Sequence, residues 1–324
     1  MKKAILVAVA LAMALSAGAQ NKFAWLDTLS DDPDKMLPGV DPAKVSGNIV
    51  TAGSSTVFPL SEAVAELFAS EGYSGQVTID SIGSGAGFER LGKAEIDVSN
   101  ASAKIKPAQL EAAEKAFGSK VIEFRLGTDA IAVCVSSKNK FVKDLSLDEL
   151  AALFSTATYW SDVRAAFPKK EIKRYIPGTD SGTFDYFVEH VFKKNKEPLL
   201  KAKNLQMSED DNVLVQGIMG SEYSVGFFGF AYYQENASKL AALSLNGVVP
   251  NQANVDAGKY PLSRPLFMYS AVKTLNDKPQ VAAYLCFYLA NVNRVIKKVG
   301  YFPAPPEALR ASKQALLDAI KGRY

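Results

Sequence analysis

Two cysteines and one histidine are all that 324 residues offer of the side chains that most often bind metals or supply a nucleophile and its base. Cys134 and Cys286 show no metal spacing and are too few for a disulfide framework, so both are read as reduced and buried. His190 falls in the middle of an amphipathic segment and is read as a partly exposed structural residue. With no carboxylate and histidine spacing of the metal kind, the chain is expected to carry no catalytic residues, no metal and no cofactor. Charge of one sign is also missing. The net formal charge is +3, which argues against a nucleic-acid or membrane surface. No apolar run reaches the roughly 20 residues of a membrane span, so stable membrane insertion is not expected.

The longest apolar run, Ala4 to Leu15, follows Met1-Lys2-Lys3 and precedes Ser16-Ala17-Gly18-Ala19. A charged start, a short greasy core and an Ala-x-Ala site make residues 1–19 a secretory signal peptide. No cysteine follows the cleavage site for lipid attachment, so the mature chain is expected to diffuse freely in a periplasm. Residues 20–46, rich in aspartate and turn formers, read as a loosely docked extension. The remainder exceeds what one hydrophobic core usually serves, which makes two lobes the default.

Order begins with a strand at Asn48–Gly53, then Ser54-Ser55-Thr56, then a helix from Pro59 with Leu60, Val64, Leu67 and Phe68 on one face, its cap supplied by the preceding hydroxyls. The pattern recurs: strand Gln76–Asp80, turn Gly83-Ser-Gly-Ala-Gly87, helix from Phe88; strand Glu95–Val98, turn Ser99–Ser102, helix from Pro107. Ala130–Val135 is a continuous apolar strand. Beyond it, strand Glu171–Ile176, turn Pro177–Thr183 and helix Phe184–Phe192 repeat the pattern once more. Strand Tyr260–Tyr269 carries the chain back, and Gln280–Val299 is a long apolar helix. Alternation of this kind predicts an α/β fold in which each lobe is a mixed, mainly parallel sheet flanked by helices. The predicted lobes are 47–127 plus 265–324, discontinuous in sequence, and 128–264.

The four turns carry small hydroxyls and glycine at helix starts, where unpaired amides and a partial positive charge favour anions. Loops at the C-terminal ends of parallel strands gather in one crevice, so the four can converge on a single ligand in an interlobe cleft. Many neutral donors aimed at one point suit a small desolvated oxyanion, and tetrahedral ones fit. For any one turn alone, ordinary helix capping competes with this reading.

The segments Ala52-Gly-Ser-Ser-Thr-Val-Phe-Pro59, Gly83-Ser-Gly-Ala-Gly-Phe88, Ile96–Ser102, Pro177-Gly-Thr-Asp-Ser-Gly-Thr-Phe184 and Ser208–Gln216, in that order, resemble the PstS-type phosphate-binding proteins, a branch of the periplasmic solute-binding proteins. The resemblance implies inorganic phosphate as ligand, the transmembrane permease of an ABC importer as partner, and a monomer. It places phosphate contacts on the Thr56 hydroxyl, the Val57 amide, Ser84, Ser181, Gly182 and Thr183; Ser55 joins them from its place in the first turn. Ser102 stands where the best-known members have aspartate, and Pro177 where they have arginine. Arg90 is the candidate replacement cation, against an ordinary solvated helical arginine. Arg264 is read as a surface or interlobe ion pair before a hinge residue. Asp180 is the nearest candidate acceptor for the phosphate proton, with Asp129 and Asp211 behind it, and it competes with a helix cap. Other oxyanions (sulfate, molybdate, arsenate) are the nearer alternative, and a phosphate-ester hydrolase using Ser181 the more distant one.

Overall fold

The computed structural model describes Phe23, residues 32–179 and residues 181–324. The signal peptide read at 1–19 and Asp180 lie outside the described residues. Twelve strands are present among them: β1 (Ile49–Gly53), β2 (Val77–Ser81), β3 (Val98–Ala101), β4 (Val121–Ser136), β5 (Asp144–Leu145), β6 (Lys173–Pro177), β7 (Leu205–Ser208), β8 (Ser224–Gly229), β9 (Leu240–Ala242), β10 (Ser244–Leu245), β11 (Ser263–Ala271) and β12 (Phe302–Pro303). The longer helices are α1 (Phe58–Ser70), α2 (Ser84–Leu91), α3 (Pro107–Phe117), α4 (Leu147–Leu153), α5 (Gly182–Phe192), α6 (Asp211–Met219), α7 (Pro279–Val295) and α8 (Pro306–Ile320).

The strand order β2-β1-β3-β11-β4-β8-β6-β7 runs as one continuous path through two α/β lobes. β1 is parallel to β2 and β3, and β6 is parallel to β7 and β8. β4 is antiparallel to β11 over residues 121–130 and antiparallel to β8 over 131–135, so a single strand runs from one lobe into the other. It starts nine residues before the apolar run at Ala130. The early half alternates, with Ile122, Phe124 and Leu126 buried and Glu123 exposed, the pattern of a strand with one face on a core. β12 adds a third crossing beside β4 and β11: it pairs with Thr128 and Gly127, and Phe302 packs its ring 4.8 Å from Phe230.

Separate cores confirm the two-lobed build. One contains Val57, Leu60, Val64 and Phe68 of α1 with Phe124 and Leu126 of β4 and most of α7. α7 is buried nearly all round, as an apolar helix must be when other elements surround it. A smaller cluster of Phe88, Leu91, Phe267 and Tyr269 fills the other face of that sheet. The second lobe packs around Phe154, Trp160, Phe187 and Phe227, with the last two rings stacked 3.8 Å apart. Cys134 and Cys286 are free and buried. No described helix is long and apolar enough to cross a membrane.

The described part of the N-terminal extension is not loosely docked. Asp32 is fully buried, accepts from the amides of Met36 and Leu37, and pairs with Lys313 of α8, itself 2% exposed. Lys313 also reaches Asp34 at 2.7 Å, and that bond holds the Asp34 carboxyl below the usual carboxylate range. Leu37, Val40 and Val45 enter the first core. Asp32 and Asp34 are partners of a buried lysine 281 and 279 positions away.

Candidate functional site

Gly53 ties two turns of the first lobe together. Its φ of +139° and the 2.0 Å that would separate an added Cβ from the Asn100 carbonyl exclude any side chain there. Its own carbonyl accepts the amides of Ile82 and Gly83, while the Ser54 amide donates to Asn100. The ends of β1, β2 and β3 are thereby held in register, and the turns that follow them open into one cavity of about 590 Å3 between the lobes. Ser55, Thr56, Ser84 and Ser102 line it from the first lobe; Tyr186 and His190 of α5 line it from the second, and Arg264 from β11.

Capping does not account for the first turn. α1 begins after Val57 with no side-chain cap, so the Ser55 and Thr56 hydroxyls are not spent on the helix, contrary to the sequence expectation. Thr56 is 2% exposed, and its carbonyl accepts from the Tyr301 hydroxyl at 2.9 Å. The Val57 side chain is buried, and its amide donates to the Ser54 hydroxyl over a long 3.4 Å. In the second turn Gly83 occupies the cap position without a side-chain bond. Ser84 Oγ accepts from the Ser102 amide at 3.1 Å, and the two hydroxyl oxygens lie 3.3 Å apart. A pair of hydroxyls so placed can turn its remaining proton toward a ligand.

The second lobe presents the start of α5. β6 is anchored by Arg174, fully buried, which donates to the carbonyls of Leu153 and Lys203 at 2.6 Å and to that of Ala157. Burial pushes its pKa down to about 10. Ser181 caps α5, accepting from the Thr183 amide at 3.2 Å, which is the ordinary capping role. Ser181, Gly182 and Thr183 stand half-buried beside the cavity rather than lining it, and of the three Gly182 comes up against the first lobe. An added Cβ on Gly182 would sit 3.4 Å from Thr56 Cα. First-lobe and second-lobe turns therefore meet.

Arg90 does not reach back over the cavity. It lies at the end of α2, with Nη1 2.6 Å from Asp80 and Nε 3.7 Å from Glu95, and the two carboxylates of its own lobe hold it away. Asp129 is fully buried on β4, and loss of solvent raises its carboxyl despite the Arg264 beside it. Asp211, the first residue of α6, is pushed up to about 6 by burial and by Asp210 and Glu209. His190 is drawn below its ordinary value by burial, and its ring lies 5.6 Å from Tyr186. Tyr186 and Tyr301 escaped the sequence reading because neither lies in a turn motif. Arg264 was readable as an interlobe ion pair, and the structure adds its place in the cavity wall.

A family model described as a PBP superfamily domain matches residues 39–292. Protein SphX of Synechococcus elongatus is 41% identical over 85% of this chain and 83% of its own. Phosphate-binding protein PstS of Staphylococcus saprophyticus is 32% identical over 87% of this chain and 88% of its own. A crystal structure described as a possible phosphate binding protein from Planctomyces limnophilus is 35% identical, with a TM-score of 0.77 over 86% of this chain and all of that one. The chain belongs to the PBP superfamily, alongside the PstS and SphX proteins that match it over most of their length and its own.

Proposed function

We propose that the chain captures inorganic phosphate in the interlobe cavity and hands it to the transmembrane permease of an ABC importer, acting as a monomer in the periplasm and doing no chemistry on its cargo. The observation that carries the reading is the meeting of Gly182 with Thr56 beside the Ser84 and Ser102 hydroxyls. Donors from both lobes then surround one small ion, with Ser55, Thr56, Ser84 and Ser102 on one side and the α5 start at Ser181, Gly182 and Thr183 on the other. Val57 contributes its amide if it exchanges the long bond to Ser54 for the ligand. A dispersed negative charge is well matched by neutral donors at a helix N-terminus. The names of the relatives, phosphate-binding PstS proteins among them, support the same ligand. The lobes of this reading are 47–127 plus 265–324 and 128–264, with the docked segment from residue 32 added to the first.

Equilibrium competition tests it. The mature protein is expected to bind orthophosphate with a single saturable site and to prefer it to sulfate. Preference for sulfate or molybdate would assign the cavity to another oxyanion, and release of p-nitrophenol from its phosphate ester would replace the transport reading with a hydrolytic one.

A further inference from the structure

Arg264 leaves β11 where that strand crosses between the lobes, directly opposite Asp129 on β4. Three elements hold its guanidinium. Nε donates to Asp129 Oδ2 at 3.1 Å, Nη2 donates to the Gly182 carbonyl at 3.2 Å, and Cζ lies 3.7 Å from the centre of the Tyr186 ring. The side chain is only 11% exposed, and the surface it keeps belongs to the cavity wall.

A guanidinium carries five N–H donors in a rigid plane. Two are used here, and among the described residues Nη1 has no protein acceptor. The lysines that also line the cavity are of another kind. Lys104, Lys106 and Lys194 are all exposed, and Lys104 and Lys194 lean on Glu123 and Glu189 at 3.8 and 3.3 Å. They can attract an anion, yet they cannot present a fixed donor to it.

We propose that Arg264 is the fixed cation of the anion site, contacting the bound oxyanion through Nη1, and that Asp129 and Tyr186 position it. The proposal rests on the phosphate-capture reading and deepens it: Arg264 supplies the fixed positive charge that Arg90, held by Asp80 and Glu95, does not bring to the cavity. It also gives the site a mechanical link. The group that meets the anion is bonded to Gly182 at the start of α5, so ligand contact and the approach of the second lobe share one side chain. Asp129 fits a positioning role, since one of its carboxylate oxygens binds Arg264 and the other has no partner among the described residues.

The test is phosphate titration by calorimetry of the wild type, Arg264→Gln and Arg264→Lys, with thermal melts to establish folding. Wild-type binding is the control for the site itself: its absence would strike the phosphate reading rather than this one. Given wild-type binding, Arg264→Gln is expected to raise the dissociation constant at least about thirtyfold, the scale of a hydrogen bond to a charged partner. Arg264→Lys should raise it roughly tenfold, because a point ammonium cannot serve Asp129, Gly182 and the anion in one plane. Should Arg264→Gln fail to fold, Arg264→Lys carries the decision. A folded variant of either kind that binds within about threefold of wild type would overturn the proposal and leave Arg264 a hinge pin.

Discussion

Gly182 of the second lobe lies against Thr56 of the first so closely that a Cβ on the glycine would touch the threonine backbone at 3.4 Å. One methyl group fits at that distance and a branched side chain does not. Gly182→Ala is therefore expected to bind phosphate within about threefold of wild type, whereas Gly182→Val should hold the lobes apart and weaken binding at least tenfold, about 1.4 kcal/mol. Titration of both variants, with scattering to measure the radius of gyration, checks this. Equal affinity for the two would mean that the contact is incidental.

Thr56→Val keeps the shape of a buried side chain and removes its hydroxyl, and Ser84→Ala breaks the pair with Ser102. Each is expected to cost roughly 1.5 to 3 kcal/mol of phosphate affinity, the scale of a hydrogen bond to an ion. Losses below about threefold at both positions would make these turns scaffolding only.

Lys313→Met leaves the Asp32 carboxylate buried without its cation. Removing one member of a buried pair costs about 3 to 5 kcal/mol, so urea unfolding should show a loss on that scale. Asp32→Asn combined with Lys313→Met should recover part of it. A loss under about 1 kcal/mol would show the N-terminal segment to be dispensable to the first core.

Asp211 has a folded pKa of about 6 against an ordinary value of 3.8. Below the lower value both states are protonated. Between the two the unfolded chain releases its proton while the folded chain keeps it, so this residue's contribution to stability falls as pH rises from about 4 to about 6 and is level above that. Asp211→Asn should remove that slope and leave the protein more stable at pH 7, by on the order of 1 to 2 kcal/mol after allowance for partial exposure. Chemical denaturation at pH 4, 5, 6 and 7 reads it, and parallel curves for the two proteins would contradict it.

The lobe architecture and the cavity-lining hydroxyls Ser55, Thr56, Ser84 and Ser102 were legible because each is local: strand, small residues, helix start. What was not legible depended on distance. Asp32 and Asp34 look like a solvated tail until Lys313 arrives from the last helix. Arg90 looks free until Asp80 and Glu95 are placed beside it, and Arg264 reads as a surface or interlobe ion pair until β11 sets it against Asp129 and α5 in the cavity wall. The hydroxyls before α1 suit a cap in sequence, yet the chain turns through Ser54 to Val57 before the helix begins; for α5 the sequence offers Asp180 as the cap, and Ser181 takes that place. The first half of β4 was missed although its alternation of Ile122, Phe124 and Leu126 with Glu123 and Arg125 was in plain view.

The most direct test of phosphate capture between two lobes is a crystal structure of the mature chain grown with orthophosphate. The account predicts one anion enclosed by both lobes, within hydrogen-bond distance of Thr56, Ser84 and the α5 start. An anion held by one lobe alone, or a cavity that stays free of phosphate at saturating concentration, would contradict it.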